Sequence, residues 1–242
     1  MNRRGLLLAA CAVLATAVQV YAGKTSGQSV DSGSFGIYVN GKRVATESFN
    51  IQQQSGGSVA NFEFKADDGT AKSSQTAELQ LTSSGDLKRY EWHELSPVKA
   101  DSIVTPNDPF LVENLTSGPD QKPVQQPFLV PTSTMILDNN FFAQRQILAW
   151  RYMASGCKQN GRQMECKLSP AQFGVLVPQA LTFTMVTLEY GGWEKVNLRG
   201  VERDLIRLNL KTEGSEWGMW LDSNYKLVRI VVASENTEVL RD

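Results

Sequence analysis

The stretch EWGMWLDSNYKLVRIVV, Glu216 to Val232, decides the fold. Side chains on a strand alternate between two faces. A polar pair, Ser223-Asn224, divides two strand-like runs. With a two-residue turn there, Trp217, Met219 and Leu221 share a face with Val228, Ile230 and Val232. Trp220, Tyr225, Leu227, Arg229 and Val231 fall on the other. A sheet with one wet face alternates apolar with polar, yet this hairpin is apolar or aromatic on both sides. One face is expected to be core or cavity wall, and the other to be covered by a helix or a long loop.

The flanking sequence reads as more strands. FGIYVNGKRVATESFNI, Phe35 to Ile51, carries Asn40-Gly41 between two apolar-rich runs, the strongest short hairpin signal. VANFEFKA alternates from Val59 to Ala66, a turn is expected at DDGT from Asp67 to Thr70, and TAELQLT and LKRYEWHEL follow. Beyond residue 170 come FGVLVP, TFTMVTLEY, EKVNLRG, DLIRLNLKT and TEVLR. The count is roughly eleven strands, joined mostly by short turns that favour an antiparallel meander.

Two segments break this texture. LDNNFFAQRQILAWRYMA, from Leu137, is the one convincing helix, expected over 138–153 with Asp138 as its N-cap. Phe141, Gln144 or Arg145, Leu148 and Tyr152 fall near one stripe, widened by Phe142 and Ile147. Seven of the nine prolines lie between Pro97 and Pro131. Proline fixes φ and removes a ladder donor, so 97–133 is expected to be a proline-rich strap across the domain with at most short edge strands. The predicted class is mainly β: a strongly curved antiparallel sheet, half-barrel or barrel-like, with one main helix packed against it. Residues 23–242 form one domain.

The N-terminus reads as an address. MNRRGLLLAACAVLATAVQVYAGK has two arginines, an apolar run and Val20-Tyr21-Ala22, the pattern of a secretory signal peptide cut after Ala22. LAAC, Leu8 to Cys11, also resembles a bacterial lipobox, although the apolar run before Cys11 is short for one. Removing the signal takes two arginines and no acids, leaving 22 basic against 25 acidic residues. That balance has no basic stripe and argues against nucleic acid as a partner. Cys157 and Cys166 remain after cleavage, in GCKQNGRQMEC. With Gly161-Arg162 at a hairpin tip they stand opposite each other. An even pair in an exported chain implies a disulfide, stabilising by about 2–3 kcal/mol in the entropic account.

LDNNFFAQRQILAWRY, FGVLVPQ and the closing MWLDSNYKLVRIVV and EVLR resemble a family of secreted bacterial proteins of unknown function. GIYVNGKRVATESF resembles the N-terminal hairpin of that family. The final WLD followed by KLVRI is similar to the periplasmic lipoprotein-carrier proteins and their half-barrel relatives. That resemblance implies a curved sheet with a helix in its mouth, an apolar cavity between them, and an acyl chain or other greasy ligand inside. The carriers are shorter and lack the proline-rich segment.

Catalytic signatures are weak. His93 is the single histidine, in YEWHEL, with no G-x-S-x-G elsewhere and no H-E-x-x-H. Alternation places it with Glu91, opposite Trp92 and Glu94. Glu91, Glu94, Glu189 and Glu194 could pair for glycoside hydrolysis only if folding brought two of them together. No metal-ligand spacing and no cofactor motif is legible, and no catalytic residue is assigned. The aromatics are more telling. Phe141, Phe142, Trp150, Phe183, Trp217 and Met219 are the candidate lining of an apolar pocket. The expected function is an exported, non-enzymatic binding protein for an apolar small molecule or lipid in the cell envelope. The alternatives are a scaffold that contacts other envelope proteins without a small ligand, and an extracytoplasmic hydrolase.

Overall fold

The computed structural model describes residues 27–67, 72–118, 120–160 and 163–242. The expected signal peptide, its cleavage site, the LAAC stretch, the Gly161-Arg162 tip and most of the DDGT turn lie outside the described residues.

Seventeen strands and one α-helix are found among them. β1 (Gln28–Val39), β2 (Lys42–Gln54), β3 (Gly57–Asp67), β4 (Lys72–Leu81) and β5 (Leu87–Ser96) run as consecutive hairpins. β6 (Ala100–Asn107), β7 (Phe110–Thr116) and β8 (Val124–Phe128) extend them. A short strand, β9 (Met135–Ile136), leads to α1 (Ala143–Gly156). The hairpin β10 (Cys157–Asn160) and β11 (Gln163–Cys166) follows the helix directly. A second meander then runs through β12 (Ala171–Val177), β13 (Thr182–Leu198), β14 (Val201–Thr212), β15 (Ser215–Leu221), β16 (Leu227–Val232) and β17 (Thr237–Arg241).

Fifteen of the strands form one sheet, ordered β8-β7-β6-β5-β4-β3-β2-β1-β17-β16-β15-β14-β13-β12-β9. Every pairing is antiparallel except β9 with β12. Two meanders are thus joined where the first and last strands pair, Phe35 opposite Arg241 through Val39 opposite Thr237. The mainly β, antiparallel class with one helix is as expected. The closed or strongly curled form is not: β8 and β9 are free edges, so the half-barrel expectation gives way to an open sheet.

The Asn40-Gly41 hairpin forms as read. Both residues have positive φ, 50° and 75°, the requirement of its tight turn. Residues 97–133 need correction. Most of them are not an irregular strap but add β6, β7 and β8 to the sheet edge, and only the stretch after β8 runs back toward β9, with the Thr132 carbonyl accepting from the Leu87 N–H (2.7 Å). Three of the prolines sit where a lost donor matters little. Pro97 and Pro109 are in turns, and Pro127 is on the edge strand β8.

The Glu216–Val232 hairpin also departs from its reading. The turn spans 222–226, with the Asp222 carboxylate accepting from the N–H groups of Asn224 (2.8 Å) and Lys226 (2.9 Å), and Tyr225 at φ 60°. A bulge between Trp220 and Leu221 then pairs Leu221 with Leu227. Trp217, Met219, Leu221, Leu227, Ile230 and Val232 therefore pack into the main core. Val228 moves to the outer face, in a small cluster with Val196, Leu205 and Trp220. Among the described residues the cluster is packed by Leu198 and Val231, not by the helix or by 97–133. Arg207 and Arg229 stack on the Trp220 ring, 5.3 and 5.0 Å from its centroid, and their stems shield it from water.

Candidate functional site

The site is built around α1, which contacts strands from both halves of the sheet. Phe62 of β3 packs against Phe141, Trp217 of β15 against Phe142, and Phe173 of β12 against Tyr152. Flanked on both sides, the helix is buried along most of its length, polar residues included. Gln144, Arg145 and Gln146 are all buried, and such groups need partners. Gln146 donates to Asp31 (2.8 Å) and accepts from the Leu227 N–H (2.6 Å). Gln144 accepts from the Asp138 N–H (2.5 Å). Arg145 donates to the carbonyls of Phe141 and Asp138 and lies over the Phe142 and Trp217 rings.

Asp138 is not the N-cap. The helix starts at Ala143, and its first N–H groups are taken by a side chain distant in sequence. The Glu47 carboxylate of β2 accepts from Phe142 N–H (2.7 Å) and Ala143 N–H (3.1 Å). Asp138 instead accepts from the Tyr90 hydroxyl (2.5 Å) and the Asn139 N–H (2.7 Å). Glu113, also buried, accepts from Ser102 (2.6 Å). Burial pushes these carboxyls up: Glu47 to about 8 against its backbone hydrogen bonds, Glu113 to about 7, and Asp138 to about 6 despite the Tyr90 bond. Burial also lowers Arg145, to about 10, with Asp138 and Glu47 opposing the shift. These groups line none of the three cavities described below, and this end of the helix reads as an anchor.

The other end is open. Three adjoining cavities surround the C-terminal half of α1, and Trp150 lines all three. The first, about 350 Å³, lies between Trp150, Met153 and Val30, the Cys157 and Met164 side of the hairpin, and Tyr225 and Lys226. The second, about 620 Å³, lies between Ile147, Trp150, Arg151 and the Ser83-Ser84-Gly85 turn, with Leu81 and Met135. The third, about 110 Å³, is a narrow, mostly apolar recess of Val30, Ile51, Ala60, Leu79, Leu81, Ile147 and Trp150, with Gln53 and Ser58. Trp150 is held by a 2.7 Å hydrogen bond from its indole to the Tyr225 carbonyl. The β10–β11 hairpin is fixed beside this groove by the Cys157–Cys166 disulfide, the two residues directly opposite as expected.

The six sequence candidates are divided by the fold. Phe141, Phe142, Trp217 and Met219 meet near the buried start of the helix as core. Trp150 lines the groove. Phe183 joins neither: it is 37% exposed on β13, with its ring over Gly174. His93 lies on the surface between Asp101 (2.5 Å) and Glu91 (3.3 Å). Glu189 pairs with Lys211, and Glu194 with Arg207 and the Trp220 indole. Sequence reasoning missed Val30, Ile51, Leu79, Ile147 and Met153 as groove lining. Ile51, Leu79, Ile147 and Met153 follow ordinary core periodicity, Val30 is exposed on β1, and nothing in the sequence marks where packing stops short.

No helix among the described residues is long and apolar enough to cross a membrane. Comparison with family models, with curated proteins and with solved structures gave no match for this chain.

Proposed function

We propose that this chain is an exported, non-enzymatic protein of the cell envelope that binds an apolar or lipid-like ligand in the groove around Trp150. The observation that carries the reading is the set of adjoining cavities at the open end of α1, two of them within the ~300–1,000 Å³ range of ligand pockets. Their walls are largely aliphatic and aromatic. Transfer of an alkyl chain into such a site is favourable by about 0.8 kcal/mol per methylene, before the costs of association. The disulfide agrees with an oxidising, extracytoplasmic location.

The test is native mass spectrometry of the mature protein purified from its own exported compartment, followed by identification of any non-covalent adduct. The expected result is a lipid-sized adduct on wild type that Trp150→Ala diminishes while the variant remains folded by circular dichroism. A bare mass, together with no uptake of 1-N-phenylnaphthylamine by wild type, overturns the reading. A scaffold role then gains, on the strength of the open edge at β8, where Val124 and Leu129 are exposed, Leu129 by 88%.

A further inference from the structure

Resting on that reading, we infer that the ligand is a single-chain amphiphile with an anionic head, its head held by Arg151 and the far end of its tail in the recess beneath Trp150. Of the groove's two polar rims, the one at Arg151 shares the longer wall with the narrow recess, Gln53, Leu81, Ile147 and Trp150, against Val30 and Trp150 on the Lys226 side. The 620 Å³ cavity is bordered by Arg151, Ser83 and Ser84, and it shares Leu81, Ile147 and Trp150 with that recess. A head at the rim and a chain pointing inward follow from that order.

The guanidinium has spare capacity. Arginine carries five N–H donors. One nitrogen, Nη1, donates to the Gly85 carbonyl (2.9 Å) and contacts the Met135 sulfur (3.2 Å). Nη2 lies 3.6 Å from Asp86 Oδ1, an ion pair beyond hydrogen-bond reach. Asp86 itself accepts from the Ser84 hydroxyl (3.0 Å). The arginine is thus held by hydrogen bonds from Nη1 and by a loose ion pair with Asp86, and Nη2 and Nε donate no hydrogen bond among the described residues. A carboxylate or phosphate can be taken there in a two-point contact. The cation at the opposite end, Lys226, is already committed, 2.8 Å from the fully buried Asp31. Asp86 is the carboxylate that would oppose an anionic head at the Arg151 rim.

The experiment is calorimetric titration of the full mature protein with laurate, dodecanol and dodecyltrimethylammonium, each below its micellar concentration. Wild type should bind laurate about tenfold tighter than dodecanol, and the cationic amphiphile weakest. In Arg151→Gln the laurate-to-dodecanol ratio should fall to near one, Arg151→Lys should keep most of it, and Asp86→Asn should raise it. Should Arg151→Gln fail to fold, the lysine and asparagine variants decide by the same ratio. Equal binding of all three amphiphiles to wild type, or a folded Arg151→Gln with its laurate preference intact, overturns the head assignment and leaves the apolar groove standing. Failure of every amphiphile to bind removes the groove reading itself.

Discussion

Glu47 stands where the alternation of β2 calls for an apolar side chain, in line with Ala45, Phe49 and Ile51, and all four are buried. A carboxylate in that register is legible in the sequence as an anomaly. Its partners, the first N–H groups of a helix 95 residues on, are not. With its carboxyl raised from 4.5 to about 8 by burial, Glu47 contributes stability that is fully present below about 4.5 and lost as pH rises through 8. The loss is on the order of 5 kcal/mol at most, because each tenfold change in proton affinity is worth about 1.4 kcal/mol. Glu47→Gln should therefore flatten the fall in melting temperature between pH 5 and pH 9. Glu47→Ala should cost about 2–4 kcal/mol in chemical denaturation at pH 6, because two buried N–H groups lose their acceptor and a void opens. At Gly41 the constraint is purely one of backbone: φ is 75° and a Cβ there meets nothing within 4 Å. Gly41→Ala should cost about 1–2 kcal/mol by the same measurement.

At the level of strands and turns, sequence reading succeeds where local chemistry decides and fails where tertiary context does. Asn40-Gly41 and the facing cysteines are local signals, and both hairpins form. The proline count over 97–133 suggests a crossing segment, because proline's lost donor is visible in the sequence and its place at a turn or sheet edge is not. The same limit moves Leu227 into the core. The five-residue turn is set by Asp222 binding two backbone N–H groups, and the bulge it permits shifts register by one residue. Replacing Cys157 and Cys166 together by serine should lower stability by about 2–3 kcal/mol. It should also weaken amphiphile binding, because Cys157 and Met164 wall the groove. A thermal melt and the laurate titration separate the two effects.

The whole molecule is two meanders seamed by its first and last strands, so the chain's C-terminal strand carries stability. Val239 is fully buried, Arg241 holds the buried Asp31, and Asp242 pairs with Arg43 at 2.8 Å. Deleting 237–242 should abolish the cooperative unfolding transition followed by circular dichroism. The pH profile is likewise a property of the ensemble of groups. Asp31 and Asp242 lie below the ordinary value of 3.8: at Asp31 burial pushes upward but the bonds from Arg241, Lys226 and Gln146 together outweigh it, and at Asp242 the Arg43 bond leads. Their contribution is present above about 4 and lost in acid. Glu47, Glu113 and Asp138 act in the opposite sense, their contribution fading as pH rises through about 6 to 8. Melting temperature should therefore peak near pH 4–6 and decline toward pH 9. The measurement that bears most directly on the groove is photo-crosslinking with a laurate analogue carrying a diazirine near its methyl end, mapped by peptide mass spectrometry. Labelling confined to the walls of the recess, at Ile51, Leu79, Leu81, Ile147 and Trp150, is the predicted result. Labelling concentrated on the outer Trp220 face or at the β8 edge, with these residues unmarked, would contradict it.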